Sequence, residues 1–297
     1  MWLLAALLMS DSTVAFTVPV APAEYVAVVT AGTGRPVVMI PGFFGSSHAF
    51  RHVVPLLADA GYQALVIEPL GVGGSARPRR ADYSLTAQAD RIAAVLDTLG
   101  LRDVVVMGHA VSASIALRLA LRRPDIVAGV IALDGGLAEA AATKGFRNAM
   151  AFAPLIRLFG GKGLIRKKVH RYMITASADT SWVTPAVIEG YTAQAAQDVG
   201  ATLDAFEGMA EAREPEALIP ALGRIRCPVR LVAGGAPHAG AVPVEEIALM
   251  GARLPLFAVD SLPRVGHFAF EEDPTAVVNV VRRLWIARTL AFVQYVP

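Results

Sequence analysis

The stretch VVVMGHAVSASIALRLA, residues 104–120, reads as a strand, a sharp turn and a helix. Val104 to Met107 form an apolar run of the kind that is buried on both faces of a sheet. Gly108, Ala110, Ser112 and Ala113 are all small, as close strand-to-helix contact requires. Turns of this form usually present a nucleophile at the apex. Here the apex is Ala110, which has no nucleophilic atom.

Similar apolar runs recur on both sides of the turn. Residues 25–32, 36–42, 63–71, 127–136, 228–235 and 255–262 are rich in β-branched residues or end in Gly, and all read as strands. Helical stretches lie between them. One opens on Ser84 as an N-cap and closes on Gly100, with Ile92, Val95, Leu96 and Leu99 on one face. Another starts with Asp273 as the cap and Pro274 at the first helical position. Strands alternating with helices predict an α/β protein with a mostly parallel, doubly wound sheet. The alternation stops between Gly136 and about Leu222, where three stretches read as helices only. The chain therefore divides into an N-terminal apolar segment (1–23), an α/β core (24–136 and 223–297) and an all-helical cap (137–222).

Four motifs in order resemble the α/β-hydrolase superfamily, in the capped subgroup related to esterases, C–C bond hydrolases, dehalogenases and epoxide hydrolases. The first is MIPGFFGSS (39–47), a strand running into a Gly-containing turn. The resemblance implies an oxyanion-hole donor there, the N–H of Phe43, although Pro41-Gly42 replaces the usual His-Gly. The second is IEPLGVGGSARP (67–78), the family's Gly-rich segment with Glu68 where Asp is common. It implies a structural role, and no Lys-Ser/Thr follows the glycines as a phosphate loop would need.

The third motif is the elbow MGHAVSA. Ala110 falls on the nucleophile position, Ser112 replaces the second glycine, and the N–H of Val111 is the second implied oxyanion donor. Ser112 is a poor substitute nucleophile, being rotated about 200° from the apex at ~100° per residue. The fourth is RVGHFAFEEDP (264–274), which matches the C-terminal family motif and puts His267 at the general-base position. A histidine suits the task because it exchanges protons near neutral pH.

The acid that orients His267 has two candidate places. The common one, after the strand PVRLVAGG, has no Asp, and His238 occupies that region. The other, after the strand that follows the elbow, holds Asp134. Strand C-termini are where open parallel sheets gather their chemistry. Asp134 is the expected partner, and Asp260 is the alternative acid.

Bulk properties narrow the function. The 297 residues carry 27 basic and 25 acidic side chains, a balance that argues against a nucleic-acid partner. The 55% apolar content and mean hydropathy of +0.51 supply a large core and fit an apolar ligand under the cap. The single cysteine, Cys227, permits no internal disulfide or Cys-based metal cluster. No cofactor motif is visible, and the six histidines show no metal-ligand spacing along the chain. The basic run RKKVHR (166–171) reads as a solvated helix face. MWLLAALLM at the start is far shorter than the ~20 residues that span a bilayer. It resembles the apolar part of a signal peptide but has no basic leader, so two locations stay open, cytoplasmic or exported if residues 1–15 act as a signal. Any membrane association would run through this segment.

Loss of such a nucleophile costs on the order of a million-fold in turnover. Three readings of Ala110 follow. The chain is a serine-hydrolase type with Ala in place of Ser, keeping its fold and pocket. It is a non-covalent lyase or oxygenase that uses His267 as a base. Or it is a binding or sensor protein that uses the pocket beneath the cap.

Overall fold

The computed structural model describes residues 13–150, 153 and 161–294. Its centre is an eight-stranded sheet of order β1-β2-β4-β3-β5-β6-β7-β8. The strands are β1 Val14–Ala21, β2 Glu24–Ala31, β3 Arg35–Ile40, β4 Tyr62–Ile67, β5 Val104–His109, β6 Val127–Leu133, β7 Val229–Gly234 and β8 Phe257–Leu262. β2 is antiparallel to both neighbours, and all other pairings are parallel. This is the expected mostly parallel, doubly wound α/β sheet.

β1 was not among the expected strands. It lies inside the stretch 1–23 assigned to an N-terminal segment, so the sheet starts at Val14. Residues 1–12, which carry the apolar run, lie outside the described residues. No helix among the described residues is long and apolar enough to cross a membrane.

Alternation along the central strands sends side chains to two cores. Val38 and Ile40 of β3 face one core, with helices α2 (Leu85–Thr98) and α3 (Ser112–Arg122). Val37 and Met39 face the other, with α1 (Val53–Asp59) and the described start of α10 (Pro274–Gln294). The caps form as the sequence predicts. Ser84 Oγ accepts from Ala87 N at 3.1 Å, and Asp273 Oδ1 accepts from Ala276 N at 2.9 Å. Fully buried apolar side chains on both sheet faces supply the main stabilisation.

Between β6 and β7 the described chain is helical only: α4 (Lys144–Met150), α5 (Gly161–Ala176), α6 (Pro185–Gln197) and α7 (Val199–Glu211), then a 3-10 turn at Ile219–Arg224. The stretch TPAVIEGYTAQAAQDVGATLDAFEGMAEA (184–212), the last of the three that read as helical, forms two helices. Asp198 ends α6 and caps α7, accepting from Ala201 N at 2.8 Å. Lys167, Lys168, His170 and Arg171 of the basic run face solvent, and Arg166 pairs with Glu189.

One buried guanidinium closes the base of this insertion. Arg118, on α3, reaches the Ala138 carbonyl and the Glu139 carboxylate on the way in, each at 3.4 Å. It reaches the Glu216 carbonyl at 3.4 Å and the Glu214 carboxylate at 3.5 Å on the way out. Glu139 in turn accepts from the backbone of Leu218 and Ile219, and Glu214 from Leu85 and Thr86. Arg118 thereby ties both ends of the insertion to the sheet.

Candidate active site

The order of the sheet reverses between β3 and β5, and it is at the C-terminal ends of strands around such a switch point that open parallel sheets gather their chemistry. Five such ends contribute. The turn after β3 carries Gly42 and Phe43, and β5 runs into Ala110. β6 runs into Asp134, β7 leads to His238, and β8 leads to His267.

Ala110 stands where the sequence puts it, between strand and helix. Its φ is +52°, in the left-handed region that a β-carbon disfavours. The turn is packed too tightly to relax: a β-carbon on Gly108 would lie 2.7 Å from Ala113 N. Ala110 N donates to Leu133 O at 3.0 Å, tying the apex to β6. Asp134, next after Leu133, also has positive φ, +40°. Two of the four non-glycine residues with positive φ among those described are thus site residues.

Neither nearby serine replaces the missing hydroxyl. Ser112 Oγ donates to Pro41 O at 2.8 Å, and Ser114 Oγ donates to Gly136 O at 2.9 Å. Both side chains are buried, with their protons committed to those carbonyls.

The turn after β3 lies against the apex. A β-carbon on Gly42 would be 3.7 Å from that of Ala110. Gly45 N donates to Gly42 O at 2.8 Å, which closes a turn with Phe43 and Phe44 at its centre. Phe43 is buried, while the Phe44 ring packs edge-on against Phe146 of α4 and Phe206 of α7. Val111, the residue after the apex, opens α3. Glu68 braces this region, its carboxylate accepting from Ser47 N and Gly74 N. It supports the loops, as expected, and takes no part in the chemistry at the strand ends.

His267 and Asp134 meet. His267 Nδ1 donates to Asp134 Oδ2 at 2.7 Å, and both side chains are almost fully enclosed. In a neutral ring so bonded Nε2 is the accepting nitrogen, and this buried atom has no hydrogen-bond partner among the described residues. Asp260 does not reach the site. It lies on β8 and binds Arg230 at 2.6 and 2.9 Å and Arg283 at 2.9 Å. Burial pushes its pKa up, but the two arginines outweigh this and the pKa is lowered. Asp260 is therefore a structural ion-pair acid, and the alternative assignment falls.

Three neighbours of His267 carried no role in the sequence reading. His238 Nε2 lies 2.7 Å from the same Asp134 Oδ2. Its position in GGAPHAG, where the family usually has an Asp, was the available signal. His109 is buried with its ring 4.5 Å from that of His267, and its Nε2 lies 3.2 Å from His267 O. Burial first, and then the nearby His267, hold His109 well below the ordinary histidine pKa. The Tyr172 ring of α5 stands edge-on to His267 at 5.8 Å. Burial, and next the Asp134 charge, push its hydroxyl up to about 12, so it stays protonated.

The ring nitrogens of His238 and His267 and an oxygen of Asp134 lie within 4.8 Å of one another. The two 2.7 Å contacts have hydrogen-bond length. Zinc bound at 2.0–2.1 Å to each atom would hold the ligand atoms on the order of 3.3 Å apart. The spacing is that of shared protons rather than metal coordination.

Comparison with known proteins agrees with this architecture. Residues 35–153 match the family model for the alpha/beta hydrolase fold. An uncharacterized hydrolase of Bacillus subtilis, YugF, is 26% identical over 242 residues, which is 81% of this chain and 86% of YugF. Epoxide hydrolase B of Mycobacterium tuberculosis is 35% identical over 102 residues, 34% of this chain but only 29% of that enzyme. The solved structure of a thermophilic esterase from Thermogutta terrifontis superposes with a TM-score of 0.73 at 22% identity, covering 93% of this chain and 99% of the esterase. The chain has the α/β-hydrolase fold, and its first half carries the match to that family's model.

Proposed function

We propose that this chain carries the site of an acyl hydrolase for ester or lactone bonds, with the nucleophile removed. One observation carries the reading. Ala110 keeps the strained +52° backbone of a nucleophile elbow although it has nothing to present there. A His–Asp pair with a free accepting nitrogen lies at the same end of the sheet.

With a hydroxyl at position 110, the chemistry would run as follows. His267 Nε2 takes the hydroxyl proton while the oxygen attacks the acyl carbon. The backbone N–H groups of Phe43 and Val111 hold the oxyanion, and being fixed in advance they need no reorganisation. His267 returns the proton to the leaving group, and water then releases the acyl group by the same steps. Asp134 holds the ring in the tautomer that accepts at Nε2. With Ala110, the site binds an apolar ligand beneath the helices and stops before covalent attack. Tyr172 against His267, and Trp182 against Phe268 next to it, supply apolar surface there.

Ala110→Ser tests this. The variant and the unaltered chain are compared on short p-nitrophenyl esters and with a fluorophosphonate probe. Esterase activity and labelling in the serine form alone support the proposal. A folded serine form that stays unlabelled sinks it.

The unpartnered His267 Nε2 favours a second reading, a non-covalent enzyme whose base acts on substrate directly. It requires activity in the unaltered chain that His267→Ala abolishes.

A further inference from the structure

We propose that His238 is a positioning residue that shares one proton with Asp134, so that the pair carries no net charge beside His267. His238 Nδ1 lies 2.6 Å from the Ala236 carbonyl oxygen. A carbonyl only accepts, so Nδ1 carries hydrogen. A neutral ring protonated at Nδ1 has a lone pair at Nε2. Yet Nε2 lies 2.7 Å from Asp134 Oδ2, which would set two lone pairs against each other. A proton must therefore lie on that axis. Whether it sits nearer the nitrogen or the oxygen, His238 and Asp134 together sum to zero charge.

The setting favours this arrangement. The His238 side chain is fully enclosed, and that of Asp134 nearly so. Gly234 N donates to the other Asp134 oxygen at 3.1 Å. Burial works against a cation on His238. The bonds to Ala236 and Asp134 and the Glu272 charge outweigh it, and the pKa is raised. The titratable and charged groups around the pair are Glu272 from the short helix α9 (Ala269–Glu272), Tyr172 from α5, His109 at the end of β5, and His267 itself.

The consequence falls on His267. A bare carboxylate at hydrogen-bond distance favours a charged imidazole, typically by 1–3 pH units. The His238 proton offsets that pull, so the Asp134 side presents His267 with a hydrogen-bond acceptor rather than a bare charge. The catalytic meaning rests on His267 acting as the base proposed above. The protonation itself is read without turnover.

The test is ring-nitrogen NMR on the full chain. In the unaltered protein near pH 7, His238 should show protons at both ring nitrogens, or one at Nδ1 and one shared at Nε2. His267 should show a lone pair at Nε2. His238→Gln keeps a donor to Asp134 but brings no extra proton. In that variant the pH at which His267 takes its second proton should rise by about one unit or more. An unchanged midpoint in folded His238→Gln overturns the proposal. If that variant does not fold, the unaltered protein decides, because a His238 Nε2 at pH 7 with no proton on it and none hydrogen-bonded to it from Asp134 overturns the proposal directly. A stoichiometric shift of the His238 signals on adding zinc to chelator-treated protein would also overturn it, placing a metal where the proton is assigned. In the Ala110→Ser background, the acidic limb of the kcat/KM profile should move upward with His238→Gln. An inactive serine form would count against the proposed function and leave the NMR result standing.

Discussion

The backbone N–H of His267 donates to the carbonyl of Ala176 at 2.7 Å. This bond joins the loop that presents the base to the last residue of α5, in the helical insertion. Glu272 reinforces it, accepting from Gly266 N on one side and from Ala178 N and Asp179 N on the other. The insertion and the base loop are therefore one mechanical unit.

Gly266 is the residue that allows this closeness. A β-carbon there would lie 2.6 Å from Ala176 O and 2.7 Å from Ala178 N, both backbone atoms. Gly266→Ala should lower stability by about 1–3 kcal/mol. In the Ala110→Ser background it should also depress esterase activity beyond the loss of folded protein. Chemical denaturation paired with active-site titration measures both.

The two acids separate cleanly. In the Ala110→Ser background, Asp134→Asn should reduce kcat by about 10⁴-fold, because the wrong tautomer of His267 is then favoured. Asp260→Asn should lower stability by leaving Arg230 and Arg283 short of a partner, while kcat of the folded fraction stays within about threefold. Equal losses from the two variants would contradict the geometry.

The elbow stores strain that glycine relieves. A left-handed backbone costs a β-carbon residue about 1–2 kcal/mol, and part of that gain is offset by the unfolded-state entropy of glycine. Ala110→Gly should raise stability by about 0.5–1 kcal/mol in urea unfolding. A loss would mean that the alanine methyl group contributes packing that outweighs its strain.

Acid should destabilise the fold through His48. Burial, and next the charges of Arg51 and His52, lower its pKa from 6.5 to about 4. The unfolded chain then binds more protons between those values. The stability from a neutral His48 is complete above about pH 6.5 and is lost as pH falls toward about 4. His109 is depressed with the same sign. His48→Gln should flatten the fall in thermal midpoint between pH 6.5 and 4 without abolishing it. A slope identical to that of the unaltered chain would rule His48 out as its source.

The sheet was largely legible because seven of its strands are nearly continuous apolar runs. β1 escaped because Pro19 interrupts it, most of its residues are at least partly exposed, and it follows a leader-like segment. The elbow, Asp134 and His267 were legible because each belongs to a local pattern at a strand end. The place of His238 was not, since it belongs to no such pattern and only the fold shows that its ring reaches Asp134. The same holds for Asp260, whose fate depends on Arg230 and Arg283. The split at Asp198 was not placed because an aspartate inside a helical pattern reads as a surface residue until its side chain turns back to cap.

Arg118 has a meaning for descent as well as for stability. It gathers the way in and the way out of the helical insertion onto one residue of α3. Chain length between two fixed ends is thermodynamically cheap, each doubling of a flexible loop costing only about 0.6 kcal/mol. The parts of the insertion beyond that junction can therefore change length at little cost to the sheet, so long as the stretch from Ala176 to Asp179 that holds the His267 loop is kept.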